Sequence, residues 1–481
     1  MADPVVLIRP PSVMRGTSFI AQQYPLNLAS IAAVLLQHQY SVEIWDFDAE
    51  IFEVDAFVKR IRDVNPGIVG ISCYTPTIEN GHLIASLVKQ HLPESLVVVG
   101  GPHVSALPER TLLEFDKFDV GVIGEGELTF HDLVAAVAGG LDYRKVKGLV
   151  YRSDEKMVRT EARELIRDLD ILPFPARHLL KHSLYRGQSH RGFSRNFLKI
   201  SEIMTSRGCP NRCIFCASDV TLGQSVRFRS AASVSREIDE CVQQFGYNHF
   251  VVSDDTFTLR EDRLMEICDS FRRNKVTWNC NARVHPISRA MLDRMVESGC
   301  VGITFGVESG SPRILKLIKK NATVRQIEQA FRLARESGVN LIEADVIIGS
   351  HPSETASDIE LTVSLLKRIA PDILMASVVV PYPGTELYSI MRDAGLIFDS
   401  GKWDSFSLFG KEPSWRTENF GPLELIGIQR RMMARFYYNP LYILRIVKKI
   451  RSFDELKYWM AGGFEFMKVC ARPLLGRFGS G

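Results

Sequence analysis

The 481-residue chain predicts an α/β fold in two units. The first is a doubly wound parallel sheet, the second a six-fold βα repeat forming a partial TIM-like barrel, and a mostly helical segment follows. Short apolar runs alternate with amphipathic stretches up to residue 138, as strands buried on both faces and separated by helices would. A second alternation starts near residue 198, with strands spaced by roughly 25–50 residues. The length argues for about three domains rather than one core. The boundaries expected are 1–140, a linker at 141–197, the barrel at 198–400 and a helical segment at 401–481.

In the first unit, strands are expected at 4–9, 41–46, 68–72, 96–101 and 120–123, with helices at 26–38, 55–64, 79–91, 108–115 and 128–138. Pro10-Pro11 ends the first strand. A ligand of such a sheet lies at the carboxyl ends of the strands. Those ends carry Ser72-Cys73-Tyr74-Thr75-Pro76, Gly100-Gly101-Pro102-His103 and Gly124-Glu125-Gly126-Glu127. Glycines there let backbone approach a large cofactor closely, although plain turn chemistry accounts for them equally well. In the linker, Gly148–Arg152 and Met157–Thr160 form a small hairpin, Asp168–Pro175 is a proline-punctuated crossing, and 181–196 is basic and irregular. Barrel strands are expected at 199–205, 248–253, 275–280, 301–306, 341–348 and 374–380.

Composition narrows the class. Apolar residues make up 46% and charged residues 24%, as in a globular protein, and a net charge of +3 gives no reason to expect a nucleic-acid partner. No apolar run approaches the about 18 residues of a membrane span, and the opening run stopped by Arg9 is too short for a secretory signal. Outside one cluster, the nine cysteines lack disulfide-framework spacing, so a cytoplasmic location is expected.

That cluster is Ser206-Arg-Gly-Cys209-Pro-Asn-Arg-Cys213-Ile-Phe-Cys216, on the loop after the first barrel strand, where barrel enzymes place their chemistry. Three close thiolates suit an iron–sulfur cluster, and three ligands leave one iron open to a small molecule. Zinc is the rival, but structural zinc takes four ligands and no second Cys-x-x-Cys or His-x-x-x-His unit occurs. Chance clustering of structural cysteines is the remaining alternative.

Cys-x-x-x-Cys-x-x-Cys after a first barrel strand resembles the radical SAM signature, and the likeness runs over about 198–400. It implies a 4Fe-4S cluster on Cys209, Cys213 and Cys216, with S-adenosylmethionine (SAM) on the open iron, cleaved reductively to a 5′-deoxyadenosyl radical. It also implies an electron donor such as flavodoxin or ferredoxin. Phe215 matches the aromatic position near the adenine, and Asp254 or Asp255 the acidic group facing the SAM ammonium. Arg283 matches a SAM carboxylate contact, and Glu308 a ribose contact. Helix capping or surface charge would explain the same residues without a ligand. The loop Gly349-Ser-His351-Pro-Ser-Glu354-Thr carries an extra histidine relative to the family pattern, more simply read as structural.

Upstream, the Arg-Pro-Pro-Ser stretch, Tyr24-Pro-Leu-Asn-Leu, the Gly-Gly-Pro-His turn and Gly-Glu-Gly-Glu-Leu-Thr resemble the cobalamin-binding domain preceding many radical SAM enzymes. Asp-x-His-x-x-Gly is absent, which implies base-off cobalamin without a histidine ligand. The resemblance implies cobalamin contacts at Tyr74, Thr75, Gly101, His103, Glu125 and Gly126, with Tyr74-Thr75-Pro76 beneath the cobalt. His103 is read as an ordinary loop residue rather than a cobalt ligand. Val380-Pro-Tyr-Pro-Gly-Thr385 is typical of the same branch. The function expected is methylation of an unactivated carbon of a small molecule or lipid. The alternatives are a cyclase or ring-rearranging enzyme resembling the anaerobic Mg-protoporphyrin monomethyl ester cyclase, and a non-catalytic cobalamin carrier or sensor. An intact cysteine triad argues against the last. Residues 424–481 carry a net charge of +7. They read either as a cap on the open barrel side or as a peripheral membrane contact.

Overall fold

The computed structural model describes residues 3–12, 24–154, 156–185, 198–398, 402–407, 412–450 and five positions between 453 and 460. The first sheet contains β1 (Val5–Arg9), β2 (Val42–Asp46), β3 (Ile68–Ser72), β4 (Leu96–Gly100), β5 (Val120–Val122), β6 (Leu149–Ser153) and β7 (Lys156–Arg159), in the order β2-β1-β3-β4-β5-β6-β7. The first five strands are parallel. β6 and β7 join antiparallel, so the sheet is mixed rather than wholly parallel. The hairpin expected in the linker thus completes the sheet. β5 has only three residues, and its open edge would leave buried N–H and C=O groups unpaired without β6.

Period-two alternation puts Val5 and Leu7 on the face covered by helices Leu26–Gln37 and Gly126–Ala138, while Val6 and Ile8 enter the core on the opposite face. Strand order reverses between β1 and β3, which opens a crevice at their carboxyl ends. The Gly-Gly-Pro-His turn continues into a short helix, Pro102–Ala106, that the sequence reading did not anticipate.

The second unit contains β8 (Ile200–Ile203), β9 (Ser206–Arg207), β10 (Arg227–Phe228), β11 (His249–Val252), β12 (Thr277–Ala282), β13 (Cys300–Glu308), β14 (Leu341–Ile348) and β15 (Ile373–Val378). Its main sheet runs β15-β14-β13-β12-β11-β8, all parallel. Each successive strand adds on the same side, which is the winding of a barrel, and β8 and β15 remain unpaired with each other. Helix Pro422–Tyr437 packs along β15, where Gln429 Nε2 donates to the Ala376 carbonyl at 2.7 Å and Tyr437 OH to that of Leu374 at 2.9 Å.

At the opposite edge Arg177, two residues past the crossing segment, lies against β8. Its guanidinium pairs with Glu237 at 2.6 Å, both side chains 1% exposed, and donates to Ser201 Oγ and the Glu202 carbonyl. Arg229 pairs with the same carboxylate. The following helix, Pro440–Lys449, buries Tyr442 and Ile446 and leaves Leu441, Leu444 and Val447 exposed. Among the described residues no helix is long and apolar enough to cross a membrane. Residues 186–197 and 461–481, which hold parts of the two basic stretches, lie outside the described residues.

Candidate active site

The three cysteines rim one cavity of about 230 Å³, together with Asn211, Ser218, Lys319 and Glu386. All three are free thiols with some exposure, whereas the other five described cysteines are buried. Asn211 Nδ2 donates to Cys209 Sγ at 3.4 Å, and Cys213 Sγ lies 3.7 Å from the Lys319 carbonyl. The Cys213–Cys216 half of the loop is tied to the barrel: Ile214 N donates to Ile318 O at 3.2 Å, and Leu387 N to Ile214 O at 2.8 Å. Partly exposed, unpaired thiols around a shared void fit a cluster with three protein ligands.

The strand-end residues sort into two groups. Arg283, just past β12, donates from Nη1 to Cys213 Sγ at 3.9 Å and from Nη2 to the Lys320 carbonyl. Lys320 Nζ lies 2.6 Å from Glu308 Oε1, both side chains under 9% exposed. A contiguous chain thus runs Cys213–Arg283–Lys320–Glu308. Glu308 ends β13 at a register shift with φ +62°, a conformation that costs a non-glycine residue about 1–3 kcal/mol. Gly306 makes room for the pair, since a Cβ there would sit 2.5 Å from Glu308 Oε1.

Asp255 is exposed beside the cysteine loop and accepts from Ser218 Oγ at 2.5 Å. Phe215 is half-buried against the barrel core. Asp254 is not free to meet a ligand: 1% exposed, it accepts from Thr205 N (2.6 Å), Thr205 Oγ1 (2.5 Å) and Ser206 Oγ (2.6 Å). It pins the start of the cysteine loop. Lys320 escaped the sequence reading because the loop that carries it has no motif of its own.

A second cavity, of about 290 Å³, opens at the carboxyl ends of β1, β3, β4 and β5 and extends under helix Leu26–Gln37. Tyr74, Gly101, Glu125 and Gly126 line it. Gly124, with φ +77°, has nothing within 4 Å of where a Cβ would stand, and a Cβ on Gly101 would meet the Cys73 carbonyl at 2.6 Å. Such a glycine-walled slot between sheet and helices fits a flat, bulky cofactor with an extended tail, as cobalamin is.

Thr75 and His103 lie behind the wall rather than on it. His103 Nδ1 is 3.2 Å from Thr75 Oγ1, and the ring packs edge-on against Trp403 at 4.9 Å. Burial, reinforced by Arg110, pushes its pKa down to about 3, so it is neutral. Among the described residues no histidine lines the slot.

Between the cavities stands a buried charge network that the sequence reading missed. Arg207, two residues before Cys209, pairs with Glu125 at 2.7 Å and Glu127 at 2.6 Å, and Arg227 pairs with Glu125 at 2.8 Å. Glu125 also accepts from Ile166 N at 2.8 Å. Burial alone would raise the Glu127 pKa; Arg207 outweighs it and holds the carboxyl below its ordinary range. The available signal was charge complementarity: two acids in a glycine turn, and two arginines flanking the cysteine loop.

The extra histidine closes its own turn. His351 Nδ1 accepts from Ser353 N at 3.2 Å and lies 2.9 Å from Ser353 Oγ. Nearby Glu354, 2% exposed, accepts from Gly349 N at 2.5 Å. Burial, with Asp358 adding to it, pushes its pKa up to about 7 against the opposing backbone N–H groups of Gly349 and Ser350 and the Arg313 charge. A carboxyl whose pKa rises on folding stabilises the fold fully below about pH 4.5, and that stability is lost as pH climbs through about 7. The shift corresponds to about 3 kcal/mol. Glu354→Gln is expected to flatten urea-measured stability across this window and to exceed wild type at pH 8.

Two family models match the chain: a B12 binding domain over residues 16–134, and the Radical SAM superfamily over 203–366. An uncharacterized methyltransferase from Pyrococcus horikoshii is 30% identical over 431 residues, 89% of this chain and 91% of its own. An anaerobic magnesium-protoporphyrin IX monomethyl ester cyclase from Rubrivivax gelatinosus is 26% identical over 477 residues, 96% of this chain and 83% of the relative. In fold, the chain matches the radical S-adenosylmethionine methyltransferase TsrM from Kitasatospora setae, solved with cobalamin and a 4Fe-4S cluster, with TM-score 0.72, 18% identity, and 97% and 99% of the two chains covered. With both domains matched and a relative 30% identical over most of its length, the chain belongs to the family of cobalamin-dependent radical SAM enzymes.

Proposed function

We propose that the enzyme transfers a methyl group from SAM, by way of cobalamin, to an unactivated carbon of a small molecule. The observation carrying this reading is that one short segment serves both cavities: Arg207 lines the cobalamin slot and Cys209 the cluster cavity. A methyl carrier and a radical source on either side of three residues can face a common substrate. When bound, the cluster and SAM supply the adenosyl radical and cobalamin the transferable methyl, while the protein orients them and excludes water.

In this reading Cys209, Cys213 and Cys216 bind the cluster. Arg283 and Asp255 take the charged ends of SAM, with Lys320 orienting Glu308 toward the ribose. Tyr74, Gly101, Glu125 and Gly126 wall the cobalamin. Glu308→Ala is expected to weaken SAM binding about tenfold, the worth of one charge-assisted hydrogen bond, by equilibrium dialysis of the reconstituted protein. The reduced thiols and the electron demand support a cytoplasmic enzyme served by a flavodoxin- or ferredoxin-type donor. Exposed Leu441, Leu444 and Val447 beside Lys448 support a lipid-facing role for helix Pro440–Lys449.

Methyl-deuterated SAM with candidate substrates tests the reaction. S-adenosylhomocysteine, 5′-deoxyadenosine and a deuterated product are expected together. Deoxyadenosine without S-adenosylhomocysteine would replace methylation with rearrangement or with cyclisation, the latter being the activity named for the Rubrivivax relative.

A further inference from the structure

The four-charge network is more than an ion pair between two halves of a chain. Its members Glu125 and Glu127 lie in the turn before helix Gly126–Ala138 and in that helix's first turn, both lining the slot assigned to cobalamin, and Arg207 lies in the strand leading into the cysteine loop. Their side chains are 5%, 7% and 11% exposed. Only Gly208 separates Arg207 from the first cluster ligand, and it has little latitude: φ is +87°, and a Cβ there would meet the Ser225 carbonyl at 2.6 Å and the Gly223 carbonyl at 2.9 Å. On the strand side, Arg207 is paired in register with Arg227, whose guanidinium holds the same Glu125. Displacing either the turn or the loop therefore breaks charge-assisted bonds in a site that water reaches poorly, where unpaired charge is most costly.

We propose that Arg207 is a positioning residue that couples the two cofactor sites, so that cluster assembly on Cys209, Cys213 and Cys216 tightens cobalamin binding, and cobalamin tightens retention of the cluster. Ligation fixes the Cys209 end of the loop, that end fixes the guanidinium two residues away, and the guanidinium holds the slot wall in its binding position. Reciprocity follows because coupling between two binding equilibria is symmetric. The inference rests on the two cofactors and not on methyl transfer.

The test uses full-length protein without substrate. Hydroxocobalamin affinity is measured by equilibrium dialysis on cluster-free and on anaerobically reconstituted protein. Wild type is expected to bind about tenfold more tightly with the cluster in place. Arg207→Gln combined with Glu127→Gln removes one charge of each sign and leaves the Glu125–Arg227 pair intact; it is expected to bind both cofactors with the ratio reduced to about one. If that variant does not fold, Arg207→Lys serves instead: it keeps the charge, reaches only one carboxylate, and should lower the ratio to about threefold. A wild-type ratio near one, or an undiminished ratio in a folded variant, would overturn the proposal. Absence of methyl transfer in the separate deuterated-SAM assay, with the ratio intact, would overturn the reaction assigned above and leave the coupling standing.

Discussion

Cys213→Ala protein, reconstituted anaerobically, is expected to retain iron only at background level, to lack the visible absorption of a cluster, and to form no deoxyadenosine above background. Two cysteines cannot replace three where the cluster has no other protein ligand, and the hydrogen-bond partners of Cys213, Arg283 Nη1 and the Lys319 carbonyl, do not bind iron as a thiolate does. The fold should survive. Cys213 is half-buried, and the loop backbone is tied at Ile214 to Ile318 and Leu387, so losing one sulfur leaves these bonds in place. Unchanged circular dichroism together with lost iron separates ligand removal from unfolding. Full iron content in this variant would contradict the assignment.

Glu237→Ala should have the largest effect on stability. Its carboxylate, 1% exposed, neutralises Arg177 and Arg229 at once. Truncation leaves the Arg177 guanidinium buried with, among the described residues, the Ser201 hydroxyl and Glu202 carbonyl as its hydrogen-bond partners. Removing one member of a buried pair costs about 3–5 kcal/mol, well beyond a surface ion pair at about 0–1 kcal/mol. Urea denaturation followed by circular dichroism should show a loss in the higher range, and a loss below about 1 kcal/mol would mean that water reaches this edge of the barrel.

Strand positions were legible because periodicity records burial directly. The fifth barrel strand lies at 341–348 in both readings, and the others agree to within a few residues. The cysteine loop was legible because cluster ligation confines its ligands to a short stretch of chain. What periodicity does not record is pairing across distance. Arg207 meets Glu125 from 82 residues away and Glu127 from 80, and nothing local to either stretch marks that meeting. Asp254 and Asp255 are adjacent and chemically identical, yet one anchors the loop and the other is exposed beside it; only the direction of each side chain past β11 separates them. The hairpin at 149–159 read as linker because strands joined to an edge carry little of the apolar run that marked the others, and Lys156 and Arg159 are exposed.

The proposed reaction requires that three cysteines hold a cluster whose open iron takes SAM while cobalamin sits across the Arg207 bridge. The most direct test of this requirement is electron paramagnetic resonance of the reduced, cobalamin-loaded protein, recorded with and without SAM. A 4Fe-4S signal that shifts when SAM is added, and is absent from Cys213→Ala protein, is the expected result. A signal indifferent to SAM, or one that persists in the variant, would contradict it.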